Sequence, residues 1–86
     1  MEIQVLGHEP DRELGCFYLD HEFNLERDPD DGFSFGNWYM NVRNEEGETV
    51  CDGWIDDSSG MSLRQAFEAA CTGAELELPT VWPDLN

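Results

Sequence analysis

Short stretches of alternating apolar and polar residues predict several β-strands in this chain. The first stretch, residues 1–6, places its apolar residues on one face, and residues 7–10 are typical of a turn. Residues 14–26 fit one strand better than a helix, because helical spacing would leave apolar side chains among acids. The apolar face of this predicted strand carries Phe17, Leu19, Phe23 and Leu25. Its opposite face carries Tyr18, Asp20, Glu22, Asn24 and Glu26.

Two further predicted strands follow a loop at residues 27–32, which is rich in Asp, Pro and Gly. Residues 33–43 alternate clearly and predict a strand. Residues 44–47 begin with Asn and end with Gly, as type I turns prefer. Residues 48–55 then return as the antiparallel partner, and Gly53 inside that stretch predicts a β-bulge.

One helix is predicted near the end of the chain. Ser62 and Gln65 have the spacing of a capping box, in which each side chain bonds the other residue's backbone N–H. Gly73 is a typical residue just beyond a helix C-terminus. The apolar stripe of this helix consists of Leu63, Phe67 and Ala70. Because so short a helix is marginal in isolation, the stripe is expected to pack on the sheet.

The tail from residue 74 is expected to be extended, because Pro79 and Pro83 interrupt helices. Val81 and Trp82 are expected to dock on the core. The sequence therefore predicts a single domain over residues 1–86 with an α+β fold. Its sheet is expected to be antiparallel, with three to four strands and one α-helix packed on one face.

The charge balance is the main clue to function. Twenty Asp and Glu residues face four Arg and no Lys, which gives a formal net charge of −16. Such a charge destabilises a folded chain by self-repulsion and indicates a strongly basic partner. Direct binding to DNA or RNA is disfavoured because no basic stripe exists. A hydrophobic content of 40% nevertheless predicts a folded core rather than a disordered acidic tail. Adaptation to a salt-rich cytoplasm is an alternative cause of the acidity.

Many acids lie two residues apart, and the i, i+2 spacing in a strand is about 6.6 Å. This is close to twice the roughly 3.4 Å axial step between phosphates along one strand of B-DNA. A row of such carboxylates predicts a phosphate-like ladder. Exposed aromatic residues beside it would serve as anchors for an Arg-rich surface. The predicted partner-binding residues are Asp20, Glu22, Glu26, Asp28, Asp30, Asp31, Tyr18 and Tyr39.

No cofactor, metal site or catalytic residue is predicted. The stretch 28–39 begins like a calcium loop, but Gly32 is fifth rather than sixth and Tyr39 stands where a Glu is needed. His and Cys show no zinc-ligand spacing, and no nucleophile or phosphate-binding motif is present. The three cysteines predict reduced thiols in a cytoplasmic protein. The chain also shows no signal-peptide pattern and no apolar stretch of membrane-spanning length.

In size, acidity, absence of Lys and absence of catalytic motifs, the whole chain resembles small phage-encoded inhibitors of bacterial defence systems. Anti-CRISPR proteins of type I systems are the nearest class, and DNA-mimicking inhibitors of restriction and of uracil-DNA glycosylase are similar. The resemblance implies stoichiometric inhibition in the host bacterial cytoplasm. The acidic surface would mimic DNA phosphates and occupy a Lys/Arg-rich groove of a Cascade-like complex or nuclease. An immunity or antitoxin-type protein against a basic nuclease is the first alternative, and a divalent-cation binder is the second.

Overall fold

A computed structural model describes residues 2–29, 32, 35–83 and 85. Within these residues the chain forms an antiparallel sheet and one helix. The elements are β1 (Gln4–Glu9), β2 (Glu13–Tyr18), β3 (His21–Arg27), β4 (Trp38–Arg43), β5 (Thr49–Trp54) and α1 (Leu63–Gly73). The strands lie in chain order, each paired with the next. The α+β prediction is confirmed, but the sheet has five strands rather than three to four.

The additional strand arises because residues 14–26 form a hairpin, not one strand. Leu19 and Asp20 have φ of 50° and 61°, and Tyr18 pairs directly with His21 across this turn. Two-residue hairpins with both φ positive usually contain Asn-Gly or Asp-Gly, so the sequence Leu-Asp gave no turn signal. The turn changes which side chains face inward: Leu14, Cys16 and Tyr18 are buried, whereas Phe17 points outward. The predicted grouping of Phe17 with the apolar face is therefore wrong.

The remaining strand predictions are shifted in their boundaries. β1 begins and ends three residues later than predicted, with a pairing irregularity at Leu6. The turn after β4 is confirmed, since the Gly47 N–H donates to the Asn44 carbonyl at 2.9 Å. The bulge in β5 lies at Val50 rather than Gly53, because Cys51 and Thr49 pair with consecutive residues of β4. β4 itself starts at Trp38, and Phe33 and Ser34 of the longer predicted strand lie outside the described residues.

One face of the sheet forms the hydrophobic core with the helix and the tail. Phe67 of α1 lies 4.7 Å from Phe23 and 5.6 Å from Tyr18 between ring centroids. Trp82 packs on the other side of Phe67 at 5.5 Å, as expected, while Val81 is exposed. The tail is also held by the Tyr18 hydroxyl, which donates to the Glu77 carbonyl at 2.7 Å. No helix of the described residues has the length and apolar character needed to cross a membrane.

Trp38 anchors the end of the sheet to the segment that leads into α1. Its side chain is fully buried, its indole N–H donates to the Met61 carbonyl at 3.1 Å, and its backbone N–H donates to the Ser58 hydroxyl at 2.8 Å. The Arg27 guanidinium lies 5.3 Å from the centre of the Trp38 ring. Arg27 also donates to the carbonyls of Ser59 and Met61. One arginine and one tryptophan thus fix the connection between β5 and the helix.

The two ends of α1 differ from each other in how well they were predicted. The capping box is confirmed: the Gln65 N–H donates to the Ser62 hydroxyl, and the Ser62 N–H donates to the Gln65 side chain. At the other end, the residue with left-handed backbone is Glu75, with φ 60°, and not Gly73. Leu76 N–H bonds the Cys71 carbonyl there, which is the pattern of a Schellman motif.

Gly73 is instead required by close packing. A Cβ atom at this position would lie 2.8 Å from the Cys51 sulfur and 3.6 Å from the Met40 methyl group. The missing side chain lets the last turn of the helix approach β4 and β5. The prediction that Gly73 lies just beyond the helix was wrong, because it is the last helical residue and its glycine serves a helix–sheet contact.

Replacement of Glu75 by glycine is expected to stabilise the protein. Left-handed backbone costs an L-residue on the order of 1 kcal/mol that glycine avoids. Chemical denaturation should show the free energy of unfolding of Glu75→Gly about 1 kcal/mol above that of Glu75→Gln. The glutamine variant removes the same charge and isolates the backbone effect. Equal stability of the two variants would contradict this account of the helix end.

Candidate interaction surface

The second face of the sheet is not covered by any segment that the structure describes. Because side chains alternate along each strand, every second side chain points outward on this second face. We call this face of the sheet the open face. Its residues are Gln4, Glu9, Glu13, Phe17, Glu22, Asn24, Glu26, Tyr39, Asn41, Arg43, Asp52 and Trp54. Five carboxylates and one arginine lie among them. Phe17 and Trp54 are each 42% exposed, although large aromatic side chains are usually buried.

Three glutamates lie in register across neighbouring strands of the open face. Glu9 of β1 pairs with Glu13 of β2, and Glu13 pairs with Glu26 of β3. We call these three residues the glutamate row. Neighbouring strands lie about 4.8 Å apart, and like charges directly opposite each other destabilise a sheet. The row therefore repels itself across three consecutive strands.

An aromatic pair continues the same row. Glu26 pairs with Tyr39 of β4, and Tyr39 pairs with Trp54 of β5. The two rings meet edge to face at 5.1 Å between centroids and 83° between planes. One line across the sheet thus places three carboxylates beside two partly exposed aromatic rings. That combination suits the binding of guanidinium or ammonium groups.

A depression runs across the open face beside the glutamate row, from β1 to β5. At its β1–β2 end the floor is formed by Gly7 and Gly15, which pair with each other. Its border includes Leu6, Glu13, Glu26 and Asp52. We call this depression the glycine trough. Because both floor residues lack side chains, the backbone of two neighbouring strands is accessible from the outside.

The neighbours of Asp52, at the β5 end of the trough, lower the pKa of its carboxyl group. The Tyr39 hydroxyl donates to its Oδ1 at 2.6 Å, and the Asn41 amide donates to the same oxygen at 3.2 Å. The hydrogen bond from Tyr39 is the main cause that lowers the pKa of Asp52, with Asn41 second and the charge of Arg43 adding to it. The same bond raises the pKa of Tyr39. The two hydrogen bonds hold the Asp52 carboxylate in position at the β5 end of the trough.

The predicted partner-binding residues are distributed over several parts of the molecule. Glu22, Glu26 and Tyr39 lie on the open face. Tyr18 does not: it is 4% exposed, it packs in the core, and burial raises its pKa. The prediction placed Tyr18 outward because it took residues 14–26 as one strand, whereas they form two strands and a turn.

The other predicted acids lie outside the strands. Asp20 is part of the β2–β3 turn, and Asp28 follows the end of β3. Asp30 and Asp31 lie outside the described residues. The proposed i, i+2 ladder along a strand is wrong for the described pairs, because each of them includes a residue in a turn or beyond a strand end. The row across the strands replaces it, and it includes Glu9 and Glu13, which were not predicted.

Metal ligation and cysteine chemistry have little geometric support in the described residues. No group of three or more His, Cys, Asp or Glu side chains is placed to hold a metal ion in residues 2–29, 32, 35–83 and 85. His21 contacts the Leu19 carbonyl through Nδ1 at 2.8 Å. Cys16 and Cys71 are buried free thiols, and burial raises the pKa of each to about 12. They are neutral at ordinary pH.

Comparison with protein-family models, with curated proteins and with solved structures finds no significant match for this chain.

Neutralising the centre of the glutamate row is expected to stabilise the fold. Glu13 has a glutamate directly opposite it on both sides, so Glu13→Gln removes two repulsive pairs. The free energy of unfolding should rise by about 0.5–1 kcal/mol. The gain should shrink between 10 mM and 1 M salt, because added salt screens exposed charges. Glu46→Gln in the β4–β5 turn is the matched control, and an equal gain there would show that only total charge matters.

Removal of the Tyr39 hydroxyl is expected to raise the pKa of Asp52 towards its ordinary value of 3.8. A lowered carboxyl pKa stabilises the fold above that ordinary value, and the contribution disappears as pH falls through the folded-state pKa. Wild type and Tyr39→Phe should therefore differ in stability near neutral pH and converge in acid. Carboxyl NMR titration measures the shift. Trp54→Phe, which leaves the hydroxyl in place, should keep the Asp52 pKa low; a low value in Tyr39→Phe would contradict the assignment.

Proposed function

We propose that this protein is a stoichiometric inhibitor that binds a basic, nucleic-acid-binding protein through the open face. The glutamate row carries the proposal. Three in-register glutamates cost folding stability, and any neutral polar residue would solvate the strand surface equally well. The repulsion among the three glutamates has a physical reason if a partner of opposite charge relieves it on binding.

The composition of the open face supports a protein partner with exposed arginine or lysine. Five carboxylates attract such a partner over a long range and accelerate association. Tyr39 and Trp54 add aromatic area at the end of the glutamate row, and interfaces commonly concentrate their binding energy in such residues. The carboxylates and the two aromatic residues therefore lie on one continuous surface. This arrangement is expected of a surface that binds a partner rather than of one that only keeps a protein in solution.

A nucleic-acid groove is the basic surface that best fits this charge. Double-stranded DNA carries one negative charge per roughly 1.7 Å of its axis, and proteins that bind it neutralise several phosphates at once. The open face offers clustered carboxylates to the same lysines and arginines. We propose the effector complex of a type I CRISPR system as the target class, in the bacterial cytoplasm. Inhibition then consists of occupying the groove, without turnover.

The proposal is tested by displacement of labelled duplex DNA from a purified type I effector complex. The wild-type protein should displace the DNA at near-equal molar amounts, and alone it should not retard DNA in a gel at about 150 mM salt. Glu9→Lys/Glu26→Lys should abolish displacement. This variant should remain well folded, because each new lysine lies opposite Glu13.

Glu45→Lys/Glu46→Lys is the matched control, since both glutamates lie in the exposed β4–β5 turn and the change in net charge is the same. This control should retain most of the displacement. Equal loss in both double variants would show that bulk charge, not the open face, determines binding. Failure of the wild-type protein to displace DNA from type I effectors would exclude this target class, and retardation of free DNA would contradict mimicry itself.

A further inference from the structure

We propose that an arginine side chain of the basic partner enters a small cavity beside Tyr39 and Trp54, where its guanidinium group contacts the Trp54 ring and the Glu26 carboxylate. This inference rests on the proposed function and names the chemical group that the aromatic end of the open face binds. The shape of the cavity and the position of its two rings carry it, and both are independent of net charge.

The cavity lies where β3, β4 and β5 meet the loop that follows β3. We call it the aromatic pocket, and it is lined by Glu26, Arg27, Asp28, Pro29, Tyr39 and Trp54. Its volume is about 260 Å³, which is below the roughly 300–1,000 Å³ typical of sites for small molecules. A single side chain of a partner protein is therefore a more suitable occupant than a cofactor or a metabolite.

The register brings the carboxylate and the rings of this pocket within reach of one guanidinium group. Glu26 pairs with Tyr39, and Tyr39 pairs with Trp54, so the three residues lie side by side on adjacent strands. Neighbouring strands are about 4.8 Å apart, which places the Glu26 and Trp54 backbones about 10 Å apart. Both side chains project from the open face. A guanidinium group between them can therefore contact a ring on one side and a carboxylate on the other.

The two rings are held in position by contacts within the protein. The Tyr39 and Trp54 rings meet edge to face at 5.1 Å between centroids, and the Tyr39 hydroxyl donates to Asp52 Oδ1 at 2.6 Å. Trp54 is nevertheless 42% exposed. A large aromatic ring that is fixed by its neighbours and open to solvent loses little conformational freedom on binding, as is typical of residues that dominate an interface.

The combination of rings and carboxylate favours arginine over lysine. A guanidinium group is planar, so it can stack on an aromatic face and donate hydrogen bonds to a carboxylate in its own plane. An ammonium group is a compact and strongly hydrated point charge, which gains less from a ring. Tryptophan is the best aromatic partner for a cation, and arginine is found in such contacts more often than lysine.

The native arginine at this pocket does not already fill it. Arg27 lines the pocket, but strand alternation after Glu26 sends its side chain to the opposite face of the sheet. There its guanidinium group lies over Trp38 and donates to backbone carbonyls. A second copy of this chain is also a poor occupant, because two acidic open faces repel each other.

The test uses ¹⁵N-labelled protein and two probes of equal charge, an acetylated and amidated triarginine peptide and the corresponding trilysine peptide. Triarginine should shift the indole N–H signal of Trp54 more than those of Trp38 and Trp82. It should also bind about threefold or more tightly than trilysine, because the guanidinium group gains more from the ring.

Variants of unchanged net charge locate the binding. Trp54→Leu should weaken triarginine binding by about threefold or more, and Trp54→Phe, which keeps a ring, should weaken it less. Phe17→Leu is the matched control, because Phe17 is also 42% exposed on the open face but lies on β2 outside the pocket. Thermal unfolding checks that each variant is folded. If Trp54→Leu does not fold, the wild-type shift map decides the question in its place.

Three results would overturn the proposal. Equal binding of the two peptides, or equal losses in Trp54→Leu and Phe17→Leu, would show that only the acidic charge attracts the probe. A larger shift of the Trp54 indole signal with tetramethylammonium chloride than with guanidinium chloride would indicate a quaternary ammonium ligand instead. A shift of that signal on concentrating the protein without any peptide would indicate a second copy.

The same variants separate this inference from the proposed function. In the DNA-displacement assay, Trp54→Leu should inhibit less well than Phe17→Leu. If Trp54→Leu inhibits normally while Glu9→Lys/Glu26→Lys does not, the aromatic pocket is refuted and the acidic open face remains. If the wild-type protein binds triarginine at Trp54 but displaces no DNA, the pocket stands and the proposed target class fails.

Discussion

The buried Ser58 hydroxyl is the contact on which the arrangement of this fold depends. It accepts the backbone N–H of Trp38 and donates to the Ile55 carbonyl at 2.6 Å, while the Ser58 N–H donates to the Asn37 side chain. A buried polar group without partners would cost about 1–3 kcal/mol, so this position must stay closely bonded. The bonds fix the chain leaving β5 against the start of β4. The helix that follows packs its buried residues on the inner side of the sheet.

That fixed side explains the contrast between the two faces of one sheet. The inner face buries aromatic and aliphatic side chains against α1 and the tail, and it supplies the stability of a small chain. The outer face receives no cover from the described residues, and it carries charges that work against folding. A domain of this size has little stability to spare. Neutral polar residues in place of the acidic row would serve the stability of the fold better.

The sequence was sufficient for the elements with strong local signals. The capping box at Ser62, the turn that begins at Asn44 and the alternation around Trp38 were each recognised because the signal and the structure involve the same few residues. The hairpin at Leu19 and Asp20 was not predicted, because the pair Leu-Asp is not typical of a turn with left-handed backbone. This single error also placed Tyr18 on the wrong face. A period of two reverses its phase at every turn, so one unseen turn misplaces all residues on one side of it.

The candidate site was harder to predict because it is assembled across strands. Glu9, Glu13 and Glu26 are ordinary solvated acids until the register brings them together, and a register depends on turns that the sequence did not show. The outward position of Tyr39 was predicted correctly, since it lies within one clearly alternating strand. Asp52 and the paired glycines carried no local signal of the neighbours that the register gives them.

The placement of Arg27 shows how the fold keeps the open face acidic. It follows Glu26 directly in the sequence, and on the same side of the strand it would lie beside that carboxylate. Instead it lies on the opposite side of the strand, where its guanidinium contacts the Trp38 ring and backbone carbonyls at the chain segment before α1. Strand alternation thus places the Arg27 side chain on the inner side of the sheet and away from the open face. In a chain with four arginines, this use of one of them on the inner side leaves the Glu26 carboxylate without that neighbouring positive charge.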